Sequence, residues 1–168
     1  MREALLLSLS LLLLCSSAPA ASGGKTIEVG QRVPEFSLPG MDGAQVSFEK
    51  DIRGKAPLTL LFFMTTACSA CYEELKEISE YAGKNPGKVD IWCVAADLRG
   101  AQTVAPFQQA NRFRARYLID TKFSLPRAFG FSYTPSLAVV DAKGLLVHKK
   151  GGYSPNERVS ERIRTFLK

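Results

Sequence analysis

Histidine is nearly absent from this chain of 168 residues, in which His148 stands alone. So low a count excludes a metal site built from several histidines and disfavours a catalytic charge relay through this residue. Four cysteines are too few for a small scaffold stapled by disulfides, and 13 glycines without a three-residue period exclude a collagen-like fibre. With 46% hydrophobic and 23% charged residues the chain is not disordered, and its length suits one domain with a sizeable core.

Charge of one sign is not concentrated enough to indicate a nucleic-acid surface. The net charge is +6, from 22 Lys and Arg against 16 Asp and Glu. The clearest basic strip consists of Arg112, Arg114 and Arg116, and short charge runs of this kind are usually a solvated face. Aromatic and basic residues do not interleave elsewhere in the chain. We therefore predict no binding to nucleic acid.

The chain begins with the pattern of an export signal. An apolar run rich in leucine covers residues 4–14, which is shorter than the ~20 residues of a membrane span. Ala18 and Ala20 then form the small-x-small pattern of a signal-peptidase site. This pattern predicts a cleaved signal peptide over residues 1–20. The alternative is an uncleaved segment that anchors the protein in the membrane.

Export determines the redox environment of the cysteines. We predict a linker over residues 21–30 and one domain over residues 31–168, located in the bacterial periplasm or at another extracytoplasmic face. Such a compartment is oxidising. Cys15 would leave with the signal peptide, so the even cysteine count does not indicate two disulfides.

The hydrophobic pattern predicts an α/β domain. Unbroken apolar runs at residues 58–64 and 89–96 predict central strands buried on both faces. Between them, residues 71–82 carry apolar side chains at helical spacing. Such alternation predicts a sheet with helices on both faces. The remaining predicted elements are a hairpin at 33–38 and 45–48, a helix near 107–113, a strand at 117–119, a helix at 126–129, a hairpin at 136–140 and 145–148, and a last helix that starts at a capping box at 154–157.

Cys68 and Cys71 form a Cys-x-x-Cys motif at a predicted junction of strand and helix. Their spacing puts both on one face of the first helical turn, close enough for a disulfide. At the helix N terminus, unpaired amide groups and the helix dipole stabilise a thiolate on Cys68. The arrangement predicts that Cys68 attacks a disulfide and that the more buried Cys71 resolves the product.

Other uses of a Cys-x-x-Cys motif find less support in the sequence. A structural zinc site needs a second pair of ligands, for which only Cys93 and His148 remain. A c-type haem site needs a histidine directly after Cys71, and that residue is Tyr72. A structural disulfide across one helical turn closes too small a loop to constrain much. We predict neither a metal nor another cofactor, and Cys93 is expected to be a small buried hydrophobe.

The cysteine motif is one of five segments that follow one another along the chain: Val33-Pro34-Glu35-Phe36-Ser37-Leu38, Gly54-Lys55-Ala56-Pro57, Leu60-Leu61-Phe62-Phe63, Cys68-Ser69-Ala70-Cys71 and Thr134-Pro135-Ser136. Together they resemble the exported TlpA/ResA-like thiol-disulfide oxidoreductases of the thioredoxin superfamily, over about residues 31–168. The resemblance implies a thioredoxin fold with a central mixed β-sheet flanked by helices. It also implies an N-terminal β-hairpin and a central insertion over residues 97–120.

The resemblance implies roles for three residues besides the cysteines. Pro135 would be a cis-proline facing the cysteine pair, and the backbone of Thr134 would pair with an extended substrate. An ordinary turn before a strand is the plainer interpretation of Pro135. Glu74 matches an acidic position that influences the protonation of the cysteine pair. Its plainer interpretation is a favourable acid in the first turn of a helix.

The sequence also departs from the family's pattern. Ala67 stands where a tryptophan usually precedes the first cysteine. Phe62 occupies the position of thioredoxin's buried acid, and residues 75–76 lack the proline that usually follows the acidic position. These departures keep the reaction type and leave the redox potential and the choice of partner open.

The resemblance thus implies an enzyme of the protein-disulfide reductase type. Its partners would be a substrate protein that bears a disulfide or thiols, for example in cytochrome c maturation, and a membrane thiol donor. It would act as a monomer. Two alternatives remain open. A peroxiredoxin-like peroxidase would use Thr65 and Cys68, although Leu61 replaces the usual proline. A Sco-like copper-delivery protein would use Cys68, Cys71 and His148, although that family spaces its cysteines one residue wider.

Overall fold

The computed structural model describes residues 26–167. The predicted signal peptide over 1–20, Cys15 and linker residues 21–25 lie outside this range. Among the described residues, no helix is both long enough and apolar enough to cross a membrane.

Strands and helices alternate along the described chain. The elements are β1 Ser37–Pro39, β2 Gln45–Ser47, β3 Leu58–Met64, α1 Ser69–Lys84, β4 Val89–Ala95, α2 Ala101–Asn111, β5 Arg116–Ile119, α3 Ser124–Ala128, β6 Ser136–Asp141, β7 Leu146–Gly151 and α4 Val159–Arg164. The segment at 97–120, expected as an insertion, contributes α2 and the edge strand β5.

The central sheet has the strand order β5-β4-β3-β6-β7. β3 pairs in parallel with β4 and antiparallel with β6. β5 extends the parallel side, and β7 extends the antiparallel side. The predicted α/β architecture with a mixed sheet is therefore confirmed. All seven residues of β3 are buried, as its unbroken apolar run predicts.

Two apolar layers cover the faces of the sheet. On one face, Leu60 and Phe62 belong to a cluster with Leu75 and Ile78 of α1 and with Ile163 of α4. The opposite face carries a second cluster that includes Leu61, Phe63, Phe48 and Phe129. Because side chains alternate along a strand, consecutive residues of β3 supply both layers. The helix that starts at the cysteine motif is thus held against the sheet along its length.

The N-terminal hairpin forms, but its first strand is shorter than predicted. β1 begins at Ser37 and pairs with β2. The residues before it make side-chain contacts instead, since the Glu35 carboxylate accepts hydrogen bonds from the Ser47 hydroxyl and the Glu49 amide. Phe36 stacks on Phe48, where a π-helical turn over Phe48–Ile52 replaces the end of the predicted return strand.

The prediction that the last helix starts at a capping box is wrong. α4 begins at Val159, and the Glu157 amide donates to the Ser154 carbonyl in a turn before it. The carboxylate of Glu77, on α1, instead accepts hydrogen bonds from the amide and the hydroxyl of Ser160, at 3.1 and 2.6 Å. The N terminus of α4 is therefore capped from a neighbouring helix, which a local sequence pattern cannot predict.

The central position of β3 predicts that Leu60→Ala destabilises the protein by about 2–5 kcal/mol, because a fully buried leucine would leave a cavity. Leu98→Ala is the matched control, since Leu98 is 88% exposed, and we expect it to change stability by less than about 0.5 kcal/mol. Urea unfolding of both variants measures the difference. Equal stability of the two variants would contradict this account of the core.

Candidate active site

Cys68 and Cys71 lie where β3 passes into α1. Cys68 is the N-cap residue of α1, as predicted. The two cysteines are joined by a disulfide, with their Cα atoms 5.2 Å apart. Cys71 is fully buried and Cys68 is half-buried. A partner molecule therefore reaches the sulfur of Cys68 before that of Cys71.

The helix N terminus acts directly on the Cys68 sulfur. The backbone amide of Cys71 donates a hydrogen bond to Cys68 Sγ at 3.1 Å. Amide groups in the first turn of a helix carry partial positive charge, which favours an anion at this position. On reduction, the same geometry stabilises the thiolate of Cys68 as a nucleophile or leaving group.

Asp97 fixes the loop that leads to Cys68. Its two carboxylate oxygens accept hydrogen bonds from the Thr66 amide, both at 3.1 Å, and one of them also accepts from the Thr66 hydroxyl at 2.6 Å. Sequence reasoning did not identify this role. The position of Asp97 in the sequence indicates this role, because Asp97 follows β4, and the parallel strands β3 and β4 end at the same edge of the sheet.

The Thr134–Pro135 peptide bond is cis, as the resemblance implied. Phe63 of β3 pairs with Ser136 of β6, so the residues before Ser136 lie at the edge where β3 leads to Cys68. Within the described residues, the backbone of Thr134 makes no hydrogen bond to another backbone group. Tyr133 beside it is 56% exposed. An extended peptide could therefore pair with this loop next to the disulfide.

Glu74 lies one turn after Cys71 on the buried face of α1 and is 1% exposed. Lys150 Nζ is 3.7 Å from Glu74 Oε1, which is beyond a hydrogen bond, and neither carboxylate oxygen has a hydrogen-bond partner in the described chain. Burial raises the pKa of Glu74 to about 7, while the charge of Lys150 opposes that rise and the charges of Glu77 and Glu157 add to it. A carboxyl with such a pKa can accept and release a proton near neutral pH.

Lys150 was missed by sequence reasoning. It lies on β7 opposite Leu137 of β6, so its side chain shares the sheet face covered by α1. A lysine near the end of a hairpin strand resembles any surface lysine in sequence. Only the pairing of β6 with β7 brings it to the buried carboxyl.

The five predicted site residues do not all lie on one element. Cys68, Cys71 and Glu74 lie within the first two turns of α1 or at its cap, and Thr134 and Pro135 lie in the loop before β6. The order of strands brings both groups to one end of the sheet. The first group supplies the thiols, and the loop supplies the Thr134 backbone, which has no backbone hydrogen-bond partner in the described part of the chain.

The other cysteine lies on β4, and the histidine lies on β7, the strand that carries Lys150. Cys93 is free and buried in β4, and burial raises the pKa of its thiol well above the usual range, so its predicted role as a buried hydrophobe agrees with the structure. His148 is half-buried, and it stacks on Phe166 with ring centroids 5.8 Å apart. Over residues 26–167, no group of three or more His, Cys, Asp or Glu side chains could hold a metal ion.

Comparisons with known proteins agree with this fold. The profile of the Redoxin family matches residues 28–163. A comparison with curated proteins found no match. The chain is similar in structure to a protein from Chlorobium tepidum described as the thiol:disulfide interchange protein DsbE, with a TM-score of 0.73 and 20% identity over 85% of this chain and 100% of that chain.

Two further solved structures show the same fold. The thioredoxin domain of a thiol-disulfide oxidoreductase from Bacteroides vulgatus matches with a TM-score of 0.68 and 18% identity, over 85% of this chain and 100% of that chain. StoA from Bacillus subtilis matches with a TM-score of 0.61 and 21% identity, over 80% of this chain and 97% of that chain. The predicted thioredoxin fold is confirmed.

The raised pKa of Glu74 predicts a pH-dependent stability. Unfolded glutamate loses its proton near pH 4.5, whereas folded Glu74 keeps it to about pH 7, so the folded state binds more protons between these values. The free energy of unfolding therefore falls as pH rises through this window, by about 3 kcal/mol from this group. Glu74→Gln removes that loss. We expect its stability relative to the unsubstituted protein to increase by about 3 kcal/mol from pH 4 to pH 8, measured by urea unfolding.

Glu73→Gln is the matched control, because Glu73 is exposed on the same turn of α1. Its stability relative to the unsubstituted protein should not change with pH. A Glu74→Gln variant that behaves like Glu73→Gln would show that folding does not raise the pKa of Glu74.

Proposed function

The chain belongs to the Redoxin family, and from this premise we propose that it is a thiol-disulfide oxidoreductase that reduces disulfides of partner proteins. One observation carries the proposal. A half-buried Cys68 at the N terminus of α1 forms a disulfide with a fully buried Cys71. At the same end of the sheet, the backbone of Thr134 makes no backbone hydrogen bond to any other residue of the range 26–167.

The first half of the reaction uses the reduced pair. The Cys68 thiolate attacks one sulfur of a substrate disulfide, and a Cys68–substrate disulfide forms as the substrate's own disulfide breaks. The departing substrate thiolate takes a proton from solvent. The helix N terminus stabilises the attacking thiolate and leaves it nucleophilic near neutral pH.

The second half uses Cys71 and Glu74. The Cys71 thiol transfers its proton to the Glu74 carboxylate, and the resulting thiolate attacks Cys68 Sγ. The bond between Cys68 and the substrate breaks, the substrate leaves as a second thiolate, and the Cys68–Cys71 disulfide forms. Two electrons have then passed from the dithiol to the substrate. The burial of both Cys71 and Glu74 on one face of α1 supports this transfer.

The substrate would lie as an extended segment along the loop before β6. Pairing with the backbone of Thr134 would align a substrate disulfide with Cys68, in the manner of an added strand. This mode recognises backbone rather than particular side chains, so it suits a reductant of several proteins or of a flexible one.

The sequence supports a location outside the cytoplasm, through the export signal predicted over residues 1–20. There the protein would act as a monomer, and a membrane thiol donor would return the oxidised pair to the dithiol. Thiols of an apocytochrome c, kept reduced for haem attachment, are the example of a substrate implied by the family resemblance.

Trapping of the mixed disulfide tests this function. Cys71→Ala should accumulate a disulfide between Cys68 and a model substrate such as insulin, because resolution is blocked, and Cys68→Ala should lose all reduction of insulin by dithiothreitol above the background rate. Mass spectrometry and the turbidity of reduced insulin measure the two outcomes.

Cys93→Ala is the matched control and should keep full activity, because its sulfur is buried in β4 and is not joined to the cysteine pair. Failure of Cys71→Ala to trap a substrate, together with full activity of Cys68→Ala, would refute the proposed function. Steady consumption of peroxide by the unsubstituted protein with a dithiol donor would favour the peroxidase alternative instead.

A further inference from the structure

Lys150 places a positive charge in the interior of the protein. It lies on β7 and pairs with Leu137, whose side chain belongs to the apolar layer under α1. Its side chain is only 13% exposed. The preceding residue, Lys149, pairs with Ala138 of the opposite layer and forms an ion pair with Glu28 at 2.9 Å. The side chains of these two adjacent lysines therefore lie on opposite faces of the sheet.

The ammonium of Lys150 lies between two carboxylates. Its Nζ is 3.7 Å from Glu74 Oε1 and 3.9 Å from Glu157 Oε2. In the described part of the chain, Nζ and both oxygens of Glu74 are buried and lack a hydrogen-bond partner. A buried ion without hydrogen bonds is costly, and the charge of its neighbour is what offsets that cost.

Among residues 26–167, Lys150 is the only cation that acts on the Glu74 carboxylate. The charged groups that act on Glu74 are Glu77 of its own helix, Lys150 of β7 and Glu157 of the turn before α4. Glu77 is held by Ser160 of α4. On the sheet below, Phe62 and Leu137 contribute apolar surface. Removing the charge of Lys150 would leave Glu74 among two carboxylates and hydrocarbon.

We propose that Lys150 is the positioning residue that stabilises the anionic form of Glu74, so that Glu74 can take the proton of Cys71 during resolution of the mixed disulfide. The role in resolution rests on the proposed function. The electrostatic role does not, because it concerns the proton on Glu74 in the oxidised protein at rest. Glu157 is 37% exposed and extends the cluster towards solvent, where Arg162 also pairs with it.

A direct titration of Glu74 tests the electrostatic role. The carboxyl ¹³C shift of Glu74, assigned by its loss in Glu74→Gln, is followed against pH in the oxidised protein. In Lys150→Met we expect the midpoint to rise by about one pH unit or more, as follows from the loss of an opposite charge within ~4 Å. Lys149→Met is the matched control and should leave the midpoint unchanged.

Two more variants separate charge from packing. Lys150→Arg keeps the charge and should return the midpoint towards that of the unsubstituted protein, which a purely structural role would not require. Glu157→Gln removes a negative neighbour and should lower the midpoint, opposite to the effect of Lys150→Met. An unchanged midpoint in Lys150→Met, or equal midpoints in the Met and Arg variants, would overturn the proposal.

A kinetic measurement tests the link to resolution. The rate at which Cys71 releases a preformed Cys68–glutathione disulfide is measured against pH in each variant. In Lys150→Met the rate profile should shift to higher pH by the same amount as the Glu74 midpoint. A shifted midpoint with an unshifted rate profile would overturn the catalytic link. Failure of the proposed function itself would be visible separately, as absence of insulin reduction by the unsubstituted protein.

Discussion

The pairing of β3 with a parallel strand on one side and an antiparallel strand on the other is the constraint on which the site depends. The parallel neighbour, β4, ends at the same edge as β3 and brings Asp97 to the loop before Cys68. The antiparallel neighbour, β6, begins at that edge and brings the cis Thr134–Pro135 peptide. A one-residue change of register would exchange the faces of β3 and separate these parts. The apolar layers that bury β3 on both faces therefore also hold the active-site geometry.

Charge in the apolar layer is the second feature of the site. The buried face of α1 carries Cys71, Glu74, Leu75 and Ile78 in succession, so a carboxyl stands where packing alone would favour an aliphatic residue. Ionisation of that carboxyl is opposed by burial and supported by Lys150. The balance leaves Glu74 able to change its protonation near neutral pH. A group of this kind, one turn from a thiol that must lose a proton, suits the second step of disulfide exchange.

Features encoded by neighbouring residues could be predicted from the sequence. The apolar run of β3 and the helical spacing after Cys71 placed Cys68 correctly at the N-cap of α1, and Pro135 was correctly expected in the cis form. Contacts between distant segments could not be predicted. Lys150 meets Glu74 only because β7 pairs with β6, and Glu77 caps α4 in place of the capping box at 154–157. The position of the cysteine pair at the helix start is thus encoded by neighbouring residues, whereas the protonation of Glu74 depends on contacts between distant segments.

The reduction potential of the Cys68–Cys71 pair tests the central claim most directly. It is obtained by equilibrating the protein with glutathione buffers of defined composition and quantifying the dithiol. The account predicts one reversible two-electron couple, nearer to the ~−270 mV of thioredoxin than to the ~−120 mV of a strong oxidant. A value near ~−120 mV, or a disulfide that does not exchange with any glutathione buffer, would contradict it.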